Sequence, residues 1–128
     1  MKKRVTGIGG IFFKTKDPKA TKDWYSKHLG LNTDQWGSTF WWKDKEGNDC
    51  STQWSPMKDD TDYYEPSKKQ FVVNYRVENL EELLKELEKE GVEIVGEMQT
   101  FDYGKFGWIM DPDGNKIELW EPIDKAFL

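Results

Sequence analysis

An internal repeat is the feature of this 128-residue sequence that most limits its possible folds. The segment Trp41–Asn48 reads WWKDKEGN and Trp108–Asn115 reads WIMDPDGN, so Trp, Asp, Gly and Asn take the same places in both. An Asp followed three residues later by Gly is typical of a tight turn between antiparallel strands. Each copy therefore predicts a strand, a turn and a second strand, and their repetition predicts two related modules.

Each module also carries a helix-start signal after an apolar-rich strand. Asp17 before Pro18 is typical of an N-cap with proline at the first helical position, and Asn79 with Glu82 resembles a capping box. Leucines in the second helix recur at helical spacing, which predicts an amphipathic helix packed on a sheet. Both halves are thus predicted to read strand, helix, strand, strand, strand.

The predicted organisation is a single α+β domain over residues 1–128. Module one is expected at about 5–54, a polar connection at 55–69, and module two at about 70–121. The connection contains Tyr63 and Tyr64 among acidic residues. Two adjacent aromatic residues in a polar loop predict either a flap over a pocket or a linker packed on the core.

Composition and charge limit the classes of function. The formal net charge is −5, and the lysines are scattered among carboxylates, which argues against nucleic-acid binding. No apolar stretch approaches the roughly 20 residues needed to span a bilayer, and no secretory signal pattern is present. We therefore expect a cytoplasmic protein without membrane contact. The 19 aromatic residues predict a core built largely from rings.

The sole cysteine and the sole histidine are both predicted to be structural. Cys50 has no cationic neighbour in sequence and is expected to be a small buried residue within a strand. A single cysteine also agrees with a reducing compartment. His28 lies near the end of the first helix, where it is expected on the surface, favourably placed in the helix dipole, rather than as a ligand or base.

Two groups of motifs resemble the vicinal oxygen chelate superfamily, which includes glyoxalases, bleomycin resistance proteins and extradiol dioxygenases. The first is Asp17-Pro18 with Trp24-Tyr25 and His28–Leu31; the second is Asp111–Asn115 with Ile117–Trp120. The resemblance covers nearly the whole chain. It implies tandem βαβββ modules that form a cupped mixed sheet.

The resemblance also implies up to four metal ligands, one in the first and one in the last strand of each module. Alignment of the repeats puts these positions at Gly10, Ser51, Val72 and Glu118. Only Glu118 is a strong metal donor, so we expect a member that lacks the usual metal site and needs no cofactor. A divalent metal bound by Glu118 with unexpected donors is kept as an alternative. Those donors would be Gln53, Asp49 or Tyr103.

Strand alternation predicts which side chains face the cup, because residues two apart share a face. Glu118 is the candidate catalytic group. The candidate ligand-binding residues are Phe12, Lys14, Gln53, Asn74, Arg76, Trp108 and Trp120. Trp108 is the repeat equivalent of Trp41, and the pattern does not assign either ring to a face. A structural alternative is that Glu118 pairs with Arg76 or Lys14 in a buried network.

The resemblance and the cup residues together predict metal-independent binding of a small organic molecule with an anionic or aromatic group, as in the drug-binding members of the family. One alternative is a glyoxalase-type lyase or isomerase, with Glu118 as general base and Arg76 or Asn74 stabilising an enolate. Another is a non-catalytic interaction protein, recognised by a filled cup and an exposed aromatic patch. A homodimer is also expected from the family.

Overall fold

The computed structural model describes residues 3–128. In this part of the chain, seven strands and two α-helices are followed by a short 3-10 helix. The strands are β1 (Val5–Thr15), β2 (Ser38–Lys43), β3 (Asp49–Lys58), β4 (Phe71–Val77), β5 (Gln99–Phe101), β6 (Gly104–Met110) and β7 (Lys116–Pro122). The helices are α1 (Pro18–Leu29), α2 (Leu80–Lys89) and the 3-10 helix (Asp124–Phe127). The α+β fold predicted from the sequence is confirmed.

All seven strands form one mixed sheet in the order β2-β3-β1-β4-β7-β6-β5. The first strands of the two modules, β1 and β4, lie antiparallel at its centre. Each is flanked by the last strand of its own module in parallel, β3 beside β1 and β7 beside β4. The two halves of the sheet are therefore related by the repeat seen in the sequence.

Module one differs from the prediction in two places. Between α1 and β2 there is only an isolated bridge, Thr33 to Ser38, where a further strand was predicted. The Asp34 carboxylate accepts hydrogen bonds from the backbone N–H groups of Trp36 and Gly37, which turns the chain tightly before a strand can extend. In addition, β3 continues to Lys58, so the connecting segment between β3 and β4 spans only residues 59–70.

The predicted turns and caps are confirmed. Asp44 accepts hydrogen bonds from the N–H groups two and four residues later, and Asp111 does the same in module two. Gly47 and Gly114 both have a φ of +84°, a left-handed conformation that favours glycine. The Asp17 and Asn79 side chains each accept a hydrogen bond from the N–H three residues on, as helix N-caps do. The same turn and the same kind of helix N-cap therefore occur in both modules.

The helices cover one face of the sheet. Leu80 and Leu83 of α2 pack against Val77 and Leu119 in the buried core of module two. In module one, Tyr25 of α1 lies against Trp54, whose ring also contacts Phe13. The side chains between these core residues point to the opposite, concave face, which we call the cup. Neither α-helix is long and apolar enough to cross a membrane, among the residues that the structure describes.

Candidate functional site

Strand register lines up a polar row across the strands towards one end of the cup. Gln53 on β3 pairs with Gly10, which pairs with Asn74; Asn74 then pairs with Glu118, and Glu118 pairs with Trp108 on β6. Residues directly opposite each other in a sheet project from the same face. The structure therefore brings together four of the residues proposed from the sequence. Gly10 contributes no side chain to this row.

Glu118 lies between Asn74 and Trp108 in this row and is 4% exposed. Its Oε1 accepts a hydrogen bond from Asn74 Nδ2 at 3.1 Å, and its Oε2 accepts one from the Tyr63 hydroxyl. That hydroxyl in turn accepts a hydrogen bond from Trp108 Nε1 at 3.0 Å. We refer to Glu118, Asn74, Tyr63, Trp108 and the adjacent Lys116 as the Glu118 centre. Both hydrogen-bond donors to its carboxylate are uncharged.

Lys116 ties the connecting segment to this centre. Its ammonium donates a hydrogen bond to the backbone carbonyl of Tyr63 at 2.6 Å. The same Nζ lies 4.7 Å from the centroid of the Tyr63 ring and 5.7 Å from that of Trp108, a cation-π arrangement. Lys116 therefore holds Tyr63 in place over the cup. Strand alternation from Glu118 could have identified Lys116, because the two residues are two apart on β7.

Burial dominates the protonation of this centre. It raises the pKa of Glu118, although hydrogen bonds from Tyr63 and Asn74 work against it by favouring the carboxylate. Burial, together with the nearby charge of Glu118, raises the pKa of Tyr63 far above its ordinary value. Burial also lowers the pKa of Lys116. The Tyr63 phenol therefore stays protonated, and the Glu118 carboxyl group loses its proton at a higher pH than an exposed glutamate does.

Three buried polar atoms on or above the cup have no hydrogen-bond partner among the described residues: Gln53 Nε2, Asn74 Oδ1 and the Tyr64 hydroxyl. Lys14 Nζ lies 5.1 Å from the centroid of the Tyr64 ring, on its face. The Phe12 ring lies close over Gly10: a Cβ atom added to Gly10 would be only 2.9 Å from Phe12 Cζ. Buried polar atoms without partners are uncommon in native proteins and often mark a ligand or water site.

The other end of the cup holds an ion pair. Arg76 donates through Nη1 and Nη2 to the two carboxylate oxygens of Asp124, at 2.7 and 2.6 Å. Ser51 donates through its N–H and its hydroxyl to Asp124 Oδ1, both at 2.9 Å. The Arg76 guanidinium lies between the rings of Trp42 and Trp120, 5.4 and 5.3 Å from their centroids. We call Arg76, Ser51 and the two tryptophans the Arg76 cradle, which the Asp124 carboxylate occupies.

The predicted pairing of Glu118 with Arg76 or Lys14 is wrong. Arg76 reaches Asp124 of the 3-10 helix, and Lys14 lies over Tyr64. Burial opposes ionisation of Asp124, but hydrogen bonds from Arg76 and Ser51 outweigh it and lower the pKa of Asp124. Asp124 lies beyond the predicted end of module two, and no sequence signal pointed to it.

An open cleft of about 730 Å³ adjoins the Arg76 cradle. Its walls include Trp42, Cys50, Arg76 and Asp124, with lysines and carboxylates around its mouth. Cys50 is buried in β3, as predicted, and burial raises the pKa of its thiol. His28 is exposed on α1, also as predicted, and its ring lies against that of Trp24. The cup is therefore covered at the Glu118 centre and accessible at the Arg76 cradle.

The donor set at the family's ligand positions does not fit a catalytic metal ion. Gly10 and Val72 carry no donor, the Ser51 hydroxyl is bonded to Asp124, and both oxygens of Glu118 accept hydrogen bonds. Within residues 3–128, no three His, Cys, Asp or Glu side chains are grouped closely enough to hold a metal. Of the alternative donors, Gln53 shares the polar row with Glu118, whereas Asp49 pairs with Lys43 and the Tyr103 ring stacks on Phe101.

The Glyoxalase/Bleomycin resistance protein/Dioxygenase superfamily model matches residues 7–119. The chain belongs to this superfamily. Methylmalonyl-CoA epimerase from Mycobacterium tuberculosis is similar in structure, with 24% identity, a TM-score of 0.62, and coverage of 99% of this chain and 95% of that one. A variant of the Streptomyces coelicolor methylmalonyl-CoA epimerase, solved with 2-nitronate-propionyl-CoA, gives 13% identity, a TM-score of 0.69, and coverage of 93% and 99%.

The Mn(II)-bound glyoxalase from Novosphingobium aromaticivorans is similar over 92% of this chain and 39% of its own length, with 19% identity and a TM-score of 0.61. The comparison with curated proteins gives no match. At these identities the structural likenesses establish the fold, and the function must be argued from the side chains in the cup.

Proposed function

We propose that this superfamily member binds a small organic molecule in the cup without a metal, and that Glu118 orients the molecule. The observation that carries this proposal is the Glu118 centre itself. A carboxyl group is buried in the cup, and the hydroxyl bonded to its Oε2 comes from the connecting segment rather than from the sheet. The Tyr63 hydroxyl could therefore leave Glu118, and a ligand take its place, without any strand pairing being broken.

The cost of burying Glu118 supports a functional role. A carboxyl group taken out of water destabilises the folded state by several kcal/mol unless charged partners compensate. The hydrogen-bond donors here, Asn74 and Tyr63, are neutral, and the charge of nearby Lys116 acts on Glu118 without a hydrogen bond to it, since its ammonium donates to the Tyr63 carbonyl. An apolar side chain at this position would pack without that cost. Buried ionisable groups with shifted pKa values are concentrated at functional sites for this reason.

Tyr63 indicates what the ligand resembles. Its ring lies edge-on to those of Tyr64 and Trp108, with centroid distances of 6.2 and 6.5 Å. Its hydroxyl donates to Glu118 and accepts from Trp108. A ligand that takes its place would be a flat ring bearing a hydroxyl or N–H donor. The unpartnered atoms of Gln53, Asn74 and Tyr64 offer it further hydrogen bonds.

This arrangement also explains how a cup covered by its own side chain is compatible with binding. The ligand replaces Tyr63, so its measured affinity equals the intrinsic affinity multiplied by the fraction of molecules in which Tyr63 has left the site. A cup that never exchanges Tyr63 would instead fit the non-catalytic interaction protein. The exposed rings of Trp24 and Trp36 are compatible with that alternative.

The test is a titration of tryptophan fluorescence and heat of binding with phenol, 4-hydroxybenzoate, benzoate and cyclohexanol. We expect saturable binding of the phenols, weakened about tenfold in Glu118→Gln, because a charge-assisted hydrogen bond contributes on the order of 1.5–3 kcal/mol. Glu121→Gln is the matched control, since the Glu121 carboxylate accepts a hydrogen bond from the N–H of Leu80 at the start of α2. Equal binding by the Glu118 and Glu121 variants, or no binding, would contradict the proposal.

A second candidate, the glyoxalase-type lyase or isomerase, is favoured by the raised pKa of Glu118. A carboxyl group with a raised pKa is a stronger base when it is ionised, and the second N–H of the Asn74 amide could stabilise an enolate. Arg76 is not available for that role because it is paired with Asp124. Proton NMR in D2O would test this candidate by deuterium exchange at carbon next to a carbonyl group. Exchange that is catalysed by the wild-type protein and lost in Glu118→Gln would support this candidate. If the wild-type protein catalyses no exchange, ligand binding without catalysis is the function that is left.

A homodimer remains a prediction. The sheet face that packs on the helices is left exposed in part at Ile8, Ile11 and Phe71. Light scattering coupled to gel filtration measures the mass in solution directly. We expect about twice the chain mass of 15.1 kDa if copies pair. A mass equal to that of one chain would contradict the dimer.

A further inference from the structure

We propose that the Arg76 cradle is a carboxylate-binding site of the cup, and that Asp124 occupies it as an internal substitute for a ligand's carboxylate. This inference deepens the proposed function by naming a charged group on the bound molecule. It rests on the geometry of a second cluster that shares no side chain with the Glu118 centre.

The cradle presents four hydrogen-bond donors to one carboxylate. Two are the terminal nitrogens of Arg76, which meet the two oxygens of Asp124 side by side. The other two are the N–H and the hydroxyl of Ser51, which both reach Oδ1. A guanidinium fork matches a carboxylate in shape as well as charge. Four converging donors around a single carboxylate are more than an ordinary ion pair requires.

The cradle is also rigid and buried. Arg76 is 5% exposed, and its third hydrogen bond goes from Nη1 to the Ser51 carbonyl at 3.0 Å. The rings of Trp42 and Trp120 hold the two faces of the guanidinium, so its donating edge is left for the carboxylate. The donors are thus held ready by β2, β3, β4 and β7 and do not depend on the 3-10 helix. A site of this kind binds with little loss of conformational freedom.

The occupant, by contrast, belongs to a small and peripheral element. Asp124 begins a 3-10 helix of four residues in which no residue is buried. Besides the Asp124 carboxylate, this helix contacts the sheet through Phe127, whose ring lies against those of Tyr103 and Trp120. The 730 Å³ cleft opens beside the cradle. An external carboxylate could therefore enter from the cleft and replace Asp124 without unpairing a strand.

The test is rescue of Asp124→Ala by free carboxylates. Melting temperatures would be measured with sodium formate, acetate or benzoate, against sodium chloride at equal ionic strength. We expect carboxylates to raise the melting temperature of the variant by about 2–5 °C more than chloride does, since a ligand that binds the folded state stabilises it. In wild-type protein, where Asp124 holds the site, the difference should be close to zero.

Two variants make the result specific. Asp49→Ala removes a carboxylate from the wall of the same cleft, where it pairs with Lys43, and should show no preference for carboxylates over chloride. Arg76→Met combined with Asp124→Ala should lose the response because the guanidinium is absent. Asp124→Ser, whose shorter side chain also leaves room for a carboxylate, serves if the alanine variant does not fold.

A rescue by chloride equal to that by carboxylates would overturn the proposal, as would a response that survives the loss of Arg76. Asp124 would then be a structural latch for the 3-10 helix. Formate and acetate carry neither a ring nor a hydroxyl group, so they do not report on the Glu118 centre. A failure here is therefore distinguishable from a failure of phenol binding at Glu118.

Discussion

The cup holds two carboxylates at its two ends, and their surroundings act on them in opposite directions. Glu118 is bonded to neutral donors, and burial raises its pKa. Asp124 is also partly buried, but Arg76 and Ser51 hold its pKa below the ordinary value. The difference shows that the partners supplied by neighbouring strands, and not burial alone, decide whether an acid in this fold is readily ionised.

The two ends also differ in which group they receive. The Glu118 centre takes a neutral phenol from the connecting segment, and the Arg76 cradle takes a carboxylate from the 3-10 helix. Both occupants come from outside the sheet, whereas the groups that hold them come from it. The strands therefore hold two groups of different charge in one concave face. The variants described next test this difference between the two ends of the cup, in order from the largest expected effect on stability to the smallest.

The largest effect is expected from Arg76→Met. This change leaves the Asp124 carboxylate and the Ser51 carbonyl without their charged partner, and breaking a buried ion pair costs about 3–5 kcal/mol in the free energy of unfolding. Urea denaturation measures the loss. Lys43→Met, which breaks the exposed pair with Asp49, should leave the urea midpoint nearly unchanged. Similar losses in both variants would contradict the view of the cradle as a buried site.

The next largest effect is expected from Gly9→Ala, which disturbs both ends at once. A Cβ at this position would overlap Asn74 Oδ1 and lie 2.8 Å from Trp120 Cε3. Overpacking of this kind costs roughly 1–3 kcal/mol in unfolding free energy. Gly10→Ala is the matched control, since its Cβ meets first the tip of the Phe12 ring, which can rotate away. Equal urea midpoints for the two variants would show that the backbone does not pass so close to Asn74 and Trp120.

A smaller effect is expected from removing one hydroxyl group. Tyr63→Phe deprives Glu118 of a donor and Trp108 Nε1 of its acceptor, which should cost about 1–2 kcal/mol. Tyr64→Phe removes a buried hydroxyl that has no partner among the described residues, so stability should be unchanged or slightly higher. Thermal unfolding of the pair gives the comparison directly. A larger loss of stability in the Tyr64 variant would contradict this prediction, because it would mean that the Tyr64 hydroxyl stabilises the fold more than the Tyr63 hydroxyl does.

The smallest effect is a difference in the pH dependence of stability. Because the pKa of Glu118 is raised, the folded state keeps a proton that the unfolded chain loses near 4.5, so stability falls as the pH rises through the interval between the two values. Because the pKa of Asp124 is lowered, its contribution is complete above about 3.8 and is lost as the pH falls through the folded value. Urea midpoints between pH 2 and 8 test both signs.

Two variants assign these slopes. Glu118→Gln should remove the decline of stability above pH 4.5, and Asp124→Asn should flatten the loss on the acid side. A Glu118→Gln profile parallel to that of the wild-type protein would show that burial does not shift this carboxyl group.

Much of the fold was predictable because its signals are local. The Asp44 and Asp111 turns and the Asp17 and Asn79 caps are each set by a few adjacent residues. Asn74 and Glu118 could be placed in one row because strand alternation holds in module two. The family's ligand positions then drew attention to Glu118.

The remainder depends on contacts between distant parts of the chain. β1 has two register shifts against β4, near Gly7 and Gly10, so alternation does not extend evenly through module one. Separately, Trp41 is 42% exposed, whereas its repeat equivalent, Trp108, lies in the Glu118 centre. The partner of Arg76 comes from a helix outside the repeat. The position of Tyr63 depends on Lys116 and Glu118, which the sequence of the connecting segment does not reveal.

The central claim is that an external ring can replace Tyr63 beside Glu118. It is tested most directly by two-dimensional proton–nitrogen NMR of the wild-type protein during titration with 4-hydroxybenzoate. Because the Trp108 indole N–H donates to the Tyr63 hydroxyl, its signal should shift saturably together with the amides of residues 59–70. A titration that leaves the Trp108 indole and the Tyr63 amide unmoved, up to the solubility of the ligand, would contradict the account.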